Sequence, residues 1–234
     1  MKKLYAVVTG GTKGIGRAIV QSMVQEGFHV AVCARTESDL LDLVRECSHW
    51  EGSVLTYRAD LSKTNEVKGF AKFVLDKCTT IDILVNNAGV FVSGSILEEP
   101  SDNLETMLQT NLVSAYTLTR ALAPTMIQQA NGHIFNMCSI ASQIAYPNGG
   151  SYSISKFALL GFSKVLREEL KDKGIRVTAI LPGATWSDSW KGVDLPQSRL
   201  MQSQDIANLV LSSYKLSNSA VVEEIIIRPQ LGDL

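Results

Sequence analysis

The sequence has little excess charge of either sign, and this shortage excludes whole classes of partner. Its 234 residues carry 22 Lys and Arg against 23 Asp and Glu, a formal net charge of -1 at pH 7. No global field therefore attracts nucleic acid or an anionic membrane. We expect neither as a partner.

Long hydrophobic runs are also missing. Apolar stretches such as Ile225 to Ile227 are far shorter than the roughly 18 residues that a membrane span needs. The run Leu4 to Val8 follows two lysines, as in a signal peptide, but it leads into Thr9-Gly10-Gly11 without a cleavage-type site. We interpret it as the first strand of a cytoplasmic protein.

Cysteine and histidine are few and scattered. The four cysteines have neither metal-ligand spacing nor the density of a disulfide framework, and the three histidines do not cluster. We expect reduced, partly buried thiols and no metal site. These residues are Cys33, Cys47, Cys78, Cys138, His29, His49 and His133.

What the sequence does contain is an alternation of short apolar runs with stretches of helical period, such as Ile15, Ile19 and Met23. The alternation predicts an α/β fold over residues 1–234: one Rossmann-type, doubly wound domain with a seven-stranded parallel sheet and helices on both faces. The predicted strands are Leu4 to Val8, Val30 to Ala34, Val54 to Tyr57, Ile81 to Val85, Ile134 to Cys138, Val177 to Leu181 and Val221 to Ile227.

One irregular stretch, Pro182 to Arg199, interrupts this alternation. It contains Trp186, Trp190 and Pro196, which make it too apolar for an ordinary solvated loop. We predict a substrate lid at about residues 184–203. The alternative is a surface excursion whose tryptophans pack onto the body of the protein.

A glycine-rich segment, Thr9 to Gly16, separates the first predicted strand from the first predicted helix. In that context glycines allow a tight turn and close approach of a pyrophosphate, while the helix N-terminus supplies amide donors. We therefore predict a dinucleotide site. Its candidate residues here are Gly10, Thr12, Lys13, Gly14, Ile15 and Gly16.

The choice of dinucleotide depends on the end of the second predicted strand. An acidic residue there would hold the ribose hydroxyls of NAD, but this chain has Arg35-Thr36, with Glu37 one step later. Arg35 and Lys13 can both face a 2′-phosphate, which favours NADPH over NAD. The alternative is that both cations are solvated and that Glu37 accepts NAD.

Tyr152 and Lys156 are four residues apart and so share one face of a helix. A lysine ammonium can lower the pKa of a phenol toward the range where the phenol acts as an acid or base. By itself, such a pair usually lies on a solvent-exposed helix face and has no catalytic role.

Taken together, these residues resemble the short-chain dehydrogenase/reductase family over essentially the whole chain. The resemblance rests on Thr9 to Gly16, Asp60, Asn86-Asn87-Ala88-Gly89, Asn111, Ser139, Tyr152 with Lys156, and Pro182-Gly183.

The resemblance implies a catalytic set. Tyr152 would protonate a carbonyl oxygen while NADPH delivers hydride to the carbon, and Lys156 would lower the Tyr152 pKa and bind the nicotinamide ribose. Ser139 would bind the substrate oxygen, and Asn111 would order a water relay behind Lys156. Such an enzyme acts on the CH–OH group of its donors.

It also implies further cofactor contacts. Asp60 and Leu61 lie where a side chain can meet the adenine ring, although Asp60 can equally cap the helix that starts near Lys63. The remaining contacts are Asn87, Ala88, Gly89, Pro182, Gly183, Thr185 and Ser187. Thr185 and Ser187 replace the usual branched apolar residue and threonine, which puts the amide anchor and packing at Thr185 in question.

Two segments in the C-terminal part of the chain point to one branch of this family. Pro182 to Trp190 and Val221 to Pro229 resemble the bacterial sepiapterin-reductase-like branch, which implies a flat aromatic carbonyl substrate stacked on Trp186 and Trp190. Two alternatives remain: a 3-oxoacyl-carrier-protein reductase, and a catalytically silent NADPH-binding regulator. Family members associate through helices that correspond to about residues 103–125 and 152–173, so we expect a homodimer or homotetramer.

Overall fold

The computed structural model describes residues 3–186 and 196–232, and strands and helices alternate along them as predicted. The strands are β1 (Tyr5–Thr9), β2 (His29–Ala34), β3 (Ser53–Arg58), β4 (Ile83–Asn86), β5 (Gly132–Met137), β6 (Ile175–Pro182) and β7 (Glu224–Ile227). The helices are α1 (Gly14–Gln25), α2 (Glu37–Cys47), α3 (Thr64–Lys77), α4 (Asn103–Leu108), α5 (Ser114–Gln128), α6 (Gly150–Leu170) and α7 (Ser203–Tyr214).

Short helical turns complete the secondary structure. A π-helical turn, Gln109–Val113, joins α4 to α5 without a break. Turns of 3-10 helix occupy Ile140–Ser142, Lys171–Lys173 and Gln197–Arg199.

All seven strands are parallel and lie in the order β3-β2-β1-β4-β5-β6-β7. The chain reaches one edge at β3 and then crosses back to β4, so the winding reverses between β1 and β4. The strands end at a common edge, and a crevice opens there at the reversal point. The predicted doubly wound α/β fold is confirmed.

The sheet is buried on both faces. Ala6 and Val8 of β1 face one layer, with α1, α2 and α7, whereas Tyr5 and Val7 face the other, with α3, α5 and α6. Successive residues of a strand point to opposite faces. A strand with helices on both sides must therefore be apolar throughout, which explains the unbroken apolar runs.

The strand boundaries differ from their predictions by at most two residues, except at the start of β7. β7 begins at Glu224 and not at Val221. The carbonyl oxygen of Val222 accepts a hydrogen bond from the Thr178 hydroxyl at 2.5 Å, and so it does not join the strand ladder.

The two ends of the predicted lid meet at the body of the protein. The Trp186 amide donates to the Met201 carbonyl at 2.8 Å, and the Met201 amide donates to the Ala184 carbonyl at 3.1 Å. Residues 187–195 lie outside the described residues, and with them Ser187, Trp190 and Lys191. The lid stays a prediction.

All four cysteines are buried more completely than expected. Burial raises the pKa of the Cys33 thiol to about 12 and the pKa of the other three to about 11. Within residues 3–186 and 196–232, no helix has the length and apolar character to cross a membrane, and no three His, Cys, Asp or Glu side chains form a metal-type group.

His133 is a buried titratable group in β5. Its Nε2 lies 2.7 Å from the Thr178 hydroxyl oxygen, whose own proton goes to Val222, so Nε2 must carry the hydrogen and donate it. Nδ1 is buried and has no hydrogen-bond partner among the described residues. Because a second proton would put a charge into the core, burial lowers the His133 pKa to about 3.

We expect His133 to make the fold acid-sensitive. Below about pH 6.5 the unfolded chain binds a proton that the folded chain refuses until about pH 3, so stability is lost as the pH falls. Between about pH 7 and pH 5 the loss should approach roughly 2 kcal/mol, measured by urea unfolding. His133→Gln should remove this part of the pH dependence, and the exposed-site control His49→Gln should keep it. If the unfolding free energy changed equally with pH in all three proteins, His133 would not be the group responsible.

Candidate active site

A cleft of about 1150 Å³ lies along the edge where the strands end. It brings together nearly all of the residues that the sequence nominated. They are Gly10, Thr12, Lys13, Gly14, Ile15, Gly16, Arg35, Thr36, Asp60, Leu61, Asn87, Ala88, Gly89, Ser139, Tyr152, Lys156, Pro182, Gly183 and Thr185. Asn111 stands behind this lining, and Ser187 lies outside the described residues.

The glycine turn allows the backbone at Gly10 and the start of α1 to lie very close together. Gly10 has a φ of +63°, a left-handed conformation that favours glycine. A Cβ on Gly16 would lie 2.3 Å from the Gly10 carbonyl oxygen, so only glycine lets α1 pack this tightly. Among the described residues no side chain caps α1, and its first turn holds no acid. Its amides and the positive end of its dipole are therefore available to a phosphate.

Hydrogen bonds join this turn to the end of β4. The Thr9 hydroxyl oxygen accepts from the amides of Asn87 and Ala88, each at 2.9 Å. The Asn87 side-chain amide donates back to the Thr9 carbonyl at 2.9 Å. These hydrogen bonds hold the ends of β1 and β4, the strands at the reversal point, rigidly together.

One end of the cleft is bordered by Lys13, Arg35 and Thr36, the residues that the sequence analysis assigned to the adenosine end. Asp60 borders it as well, but its interpretation as a helix cap is wrong. α3 begins only at Thr64, and the Asp60 carboxylate instead accepts from the amide and hydroxyl of Ser62 at 3.1 and 2.8 Å. Burial opposes ionisation, but these two bonds and nearby cations outweigh it and lower the Asp60 pKa.

At the other end, α6 carries Tyr152 and Lys156 on one face. Lys156 is 4% exposed, and its Nζ donates to the Met137 carbonyl at 2.7 Å and lies 5.7 Å from the centre of the Tyr152 ring. Burial lowers the Lys156 pKa to about 8, so the ammonium still predominates at neutral pH.

The pKa of Tyr152 departs from its predicted direction. Burial raises it, and a hydrogen bond with Ser139 opposes the rise only in part. The predicted net lowering of the Tyr152 pKa is therefore wrong for this arrangement, because burial has the larger effect and the Lys156 ammonium donates its hydrogen bond to the Met137 carbonyl. A raised pKa keeps the phenol protonated, as a proton donor must be.

Ser139 lies two residues after the end of β5 and is the N-cap of the turn Ile140–Ser142. Its hydroxyl oxygen accepts from the Ala141 amide at 3.2 Å, and the Ser142 hydroxyl accepts from the Ser139 amide at 3.2 Å. These reciprocal bonds fix the Ser139 hydroxyl at the edge of the sheet, beside Tyr152.

Asn111 lies in the π-helical turn, where the wider turn redirects its side chain. Its Oδ1 accepts from the Val90 amide at 2.7 Å, and its Nδ2 donates to the Val90 carbonyl at 3.0 Å and to the Ser155 hydroxyl at 2.9 Å. A Cβ on Gly89 would lie 3.3 Å from Asn111 Oδ1 and 3.5 Å from Lys156 Nζ. Asn111 is therefore packed behind Gly89 and next to Lys156.

Sequence reasoning missed Glu99. This carboxylate accepts hydrogen bonds from the amide and hydroxyl of Ser151, at the first turn of α6. The same loop is held to the chain before α6, because the Gly94 amide donates to the Asn148 carbonyl at 3.0 Å. Glu99 and Ser151 are 52 residues apart, so no local pattern reveals the contact.

The apolar wall beside Tyr152 was also missed. The Phe91 ring meets the Tyr152 ring edge to face, with centroids 4.9 Å apart. Ile144 and Tyr146 border the same end of the cleft and are partly open to solvent. The only signal in the sequence was their position, directly after the motifs that end β4 and β5.

Thr185, the departure from the family pattern, keeps its packing. It is buried, its hydroxyl donates to the Gly183 carbonyl at 3.0 Å, and it pairs with Met201. The hydroxyl is thus satisfied locally.

Fold and site together define a doubly wound α/β protein with a tyrosine, a lysine and a serine at one end of its cleft. A family model described as short chain dehydrogenase matches residues 4–197. The chain belongs to the short-chain dehydrogenase/reductase family of oxidoreductases.

Particular relatives agree with this. A sepiapterin reductase of Chlorobaculum tepidum is 33% identical over 240 aligned positions, covering 99% of this chain and 98% of the relative. A 3-oxoacyl-[acyl-carrier-protein] reductase of Synechocystis sp. is 29% identical, covering 88% and 86%. A metagenomic short-chain oxidoreductase solved in complex with NADP superimposes with a TM-score of 0.86 at 31% identity, covering 97% of each chain.

We expect Gly16→Ala to damage the fold and the cleft together, because the added methyl group collides with the Gly10 carbonyl. Overpacking of this kind should cost about 2–3 kcal/mol of unfolding free energy, measured with urea. The matched control is Gly69→Ala in α3, where the new Cβ would meet only the side chain of Tyr57, at its hydroxyl end. That variant should stay within about 1 kcal/mol of the wild type, because the helix gains alanine and only the end of a side chain has to move. Equal effects at both sites would refute the close-packing explanation.

Proposed function

We propose that this chain is an NADPH-dependent reductase that converts a carbonyl group to an alcohol. The observation that carries the proposal is the position of Ser139, Tyr152 and Lys156 in the cleft that also contains the glycine turn. Asn111 acts with them from behind Gly89. A nucleotide-binding regulator would need only the glycine turn, which weighs against the silent alternative.

The cleft fits the cofactor. The tight Gly10–Gly16 contact leaves room for a pyrophosphate at the uncapped start of α1, and Lys13 and Arg35 supply two cations at the adenosine end. The relative solved with NADP shares the fold over nearly the whole chain. NADPH, when bound, supplies the hydride. The nicotinamide end would lie against Tyr152, Lys156 and Gly183.

In the mechanism that we propose, the Tyr152 phenol donates its proton to the carbonyl oxygen as that oxygen becomes negative. Its raised pKa keeps the proton in place until then. Lys156 stabilises the phenolate that forms, because its ammonium stands near the ring. The Ser139 hydroxyl orients the carbonyl oxygen. Asn111 fixes the loop at Val90 and reaches α6 through Ser155, which supports its predicted role in a proton relay.

For the substrate, we propose a flat aromatic carbonyl compound of the sepiapterin type. Phe91, Ile144 and Tyr146 give that end of the cleft apolar and aromatic walls, and the Chlorobaculum relative is named for sepiapterin. The relative from Synechocystis keeps the acyl-carrier alternative open. That alternative calls for a basic entrance, which these walls do not supply.

Tyr152→Phe tests the mechanism. With NADPH present, reduction of sepiapterin, diketones, aromatic aldehydes or an acetoacetyl thioester should fall at least about 100-fold when the phenol proton is removed. The progress of each reaction is followed by nicotinamide absorbance. The control Tyr57→Phe removes a phenol from β3, outside the cleft, and should leave the rate unchanged.

Each outcome separates the alternatives. The best wild-type substrate distinguishes the pterin-like reading from the acyl reading. Full activity in Tyr152→Phe would exclude Tyr152 as the acid. Tight NADPH binding without turnover of any carbonyl would favour the silent regulator.

We also propose a homo-oligomer built through α4, α5 and α6. These helices expose large apolar side chains that a monomer would leave in water: Leu104, Tyr116, Ile154, Phe157 and Val165.

Light scattering should give a mass of at least twice the 25.5 kDa of the chain. Phe157→Glu should shift the protein toward the monomer, because it places a charge in the interface. Leu41→Glu, at an exposed apolar position on α2, should not. A wild-type monomer would rule out the oligomer.

A further inference from the structure

We propose that Asp39 weakens the preference of this chain for NADPH over NADH by holding Lys13 and by opposing the 2′-phosphate. The proposal rests on the NADPH-binding function given above. It concerns a residue that the glycine turn and the strand-end motif do not include.

The two side chains come from different elements and meet at the same end of the cleft. Lys13 is the last residue before α1, and Asp39 lies in the first turn of α2. Lys13 Nζ is 3.4 Å from Asp39 Oδ2. Both residues line the cleft together with Arg35 and Thr36.

The side chains of Asp39 and Lys13 differ in how far they can move. The Asp39 side chain is 25% exposed and sits on a short stem within a helix, whereas the Lys13 side chain is 58% exposed on a long one. A lysine can swing to a phosphate, but the carboxylate stays where the helix holds it. The carboxylate therefore continues to border the adenosine end after a dinucleotide has bound.

The effect is selective because only NADPH carries the 2′-phosphate. Near neutral pH that group bears between one and two negative charges, and a fixed carboxylate at the same end of the cleft repels it. To bind the phosphate, Lys13 must also give up its ion pair with Asp39. NADH presents a neutral hydroxyl there and meets neither cost.

The magnitude is modest, since the site is open to water. Removing one unit charge a few ångströms from a phosphate in a water-like dielectric should change the affinity about five-fold. Salt should reduce this change, because exposed charges are screened. Loss of a buried interaction would not respond to salt in this way.

The test is the affinity of the purified full chain for NADPH and for NADH, measured by calorimetry at low and at high salt. For Asp39→Asn we expect the NADPH dissociation constant to fall about five-fold at low salt, the gain to shrink at high salt, and NADH binding to stay within about two-fold. Asp39→Ser should behave alike. In a Lys13→Gln background the gain should become smaller, because the ion pair is already gone.

The matched control is Asp42→Asn. It removes the same charge from the same helix, but Asp42 pairs with Arg45 and does not line the cleft. Its NADPH affinity should not change.

If wild type binds NADPH but Asp39→Asn matches Asp42→Asn, or improves both dinucleotides equally, the role of Asp39 is refuted and the reductase proposal stands. If wild type binds neither dinucleotide, both proposals fail.

Discussion

The cleft depends on the hydrogen bonds that tie the end of β1 to the end of β4. These strands are neighbours in the sheet, but the whole second half of the doubly wound fold begins with β4. Thr9 accepts from two backbone amides after β4, and Asn87 returns a bond to the Thr9 carbonyl. The glycine turn on one side and the loop toward Phe91 on the other therefore share one rigid base. Without it, the glycine turn and the part of the cleft that contains Tyr152 would not be held in a fixed relative position.

A second set of hydrogen bonds holds the part of the cleft that contains Tyr152 and Lys156. Asn86 and Asn136 are paired across β4 and β5, and their side chains are joined by a hydrogen bond of 2.8 Å. Asn136 then donates to Ser163 of α6 at 2.8 Å. Glu99 holds the first turn of α6 at Ser151, and Asn111 reaches the helix at Ser155. Tyr152 and Lys156 lie between Ser151 and Ser163, so the contacts of their neighbours help to fix their position.

The sequence predicted what depends on periodicity and on local motifs. Strands buried on both faces leave continuous apolar runs, and the glycine turn has a fixed place between a strand and a helix, so the fold and most of the cleft lining could be read directly. The direction of the Tyr152 pKa shift could not be predicted, because it depends on how deeply the ring is buried and on which group the Lys156 ammonium contacts. The capping role proposed for Asp60 failed for a similar reason: Ser62 competes for its carboxylate, and the helix starts one residue later than expected.

The contacts that the sequence did not predict are the long-range polar ones. Glu99 with Ser151 and Asp39 with Lys13 each join segments that are distant in sequence, and carboxylates of this kind look like ordinary surface charge until the fold brings them to a partner. The tautomer of His133 is a further long-range feature. It depends on Thr178 and Val222, which come from β6 and from the segment before β7.

The buried cysteines have a practical consequence. With thiol pKa values of about 11 to 12, less than about one thiol in a thousand is ionised at neutral pH in the folded protein, and the sulfur atoms are shielded by the core. Alkylating reagents act on the thiolate, so they find almost nothing to modify while the chain is folded. A reporter cysteine placed on the surface can therefore carry a fluorophore or spin label without removal of any of the native thiols.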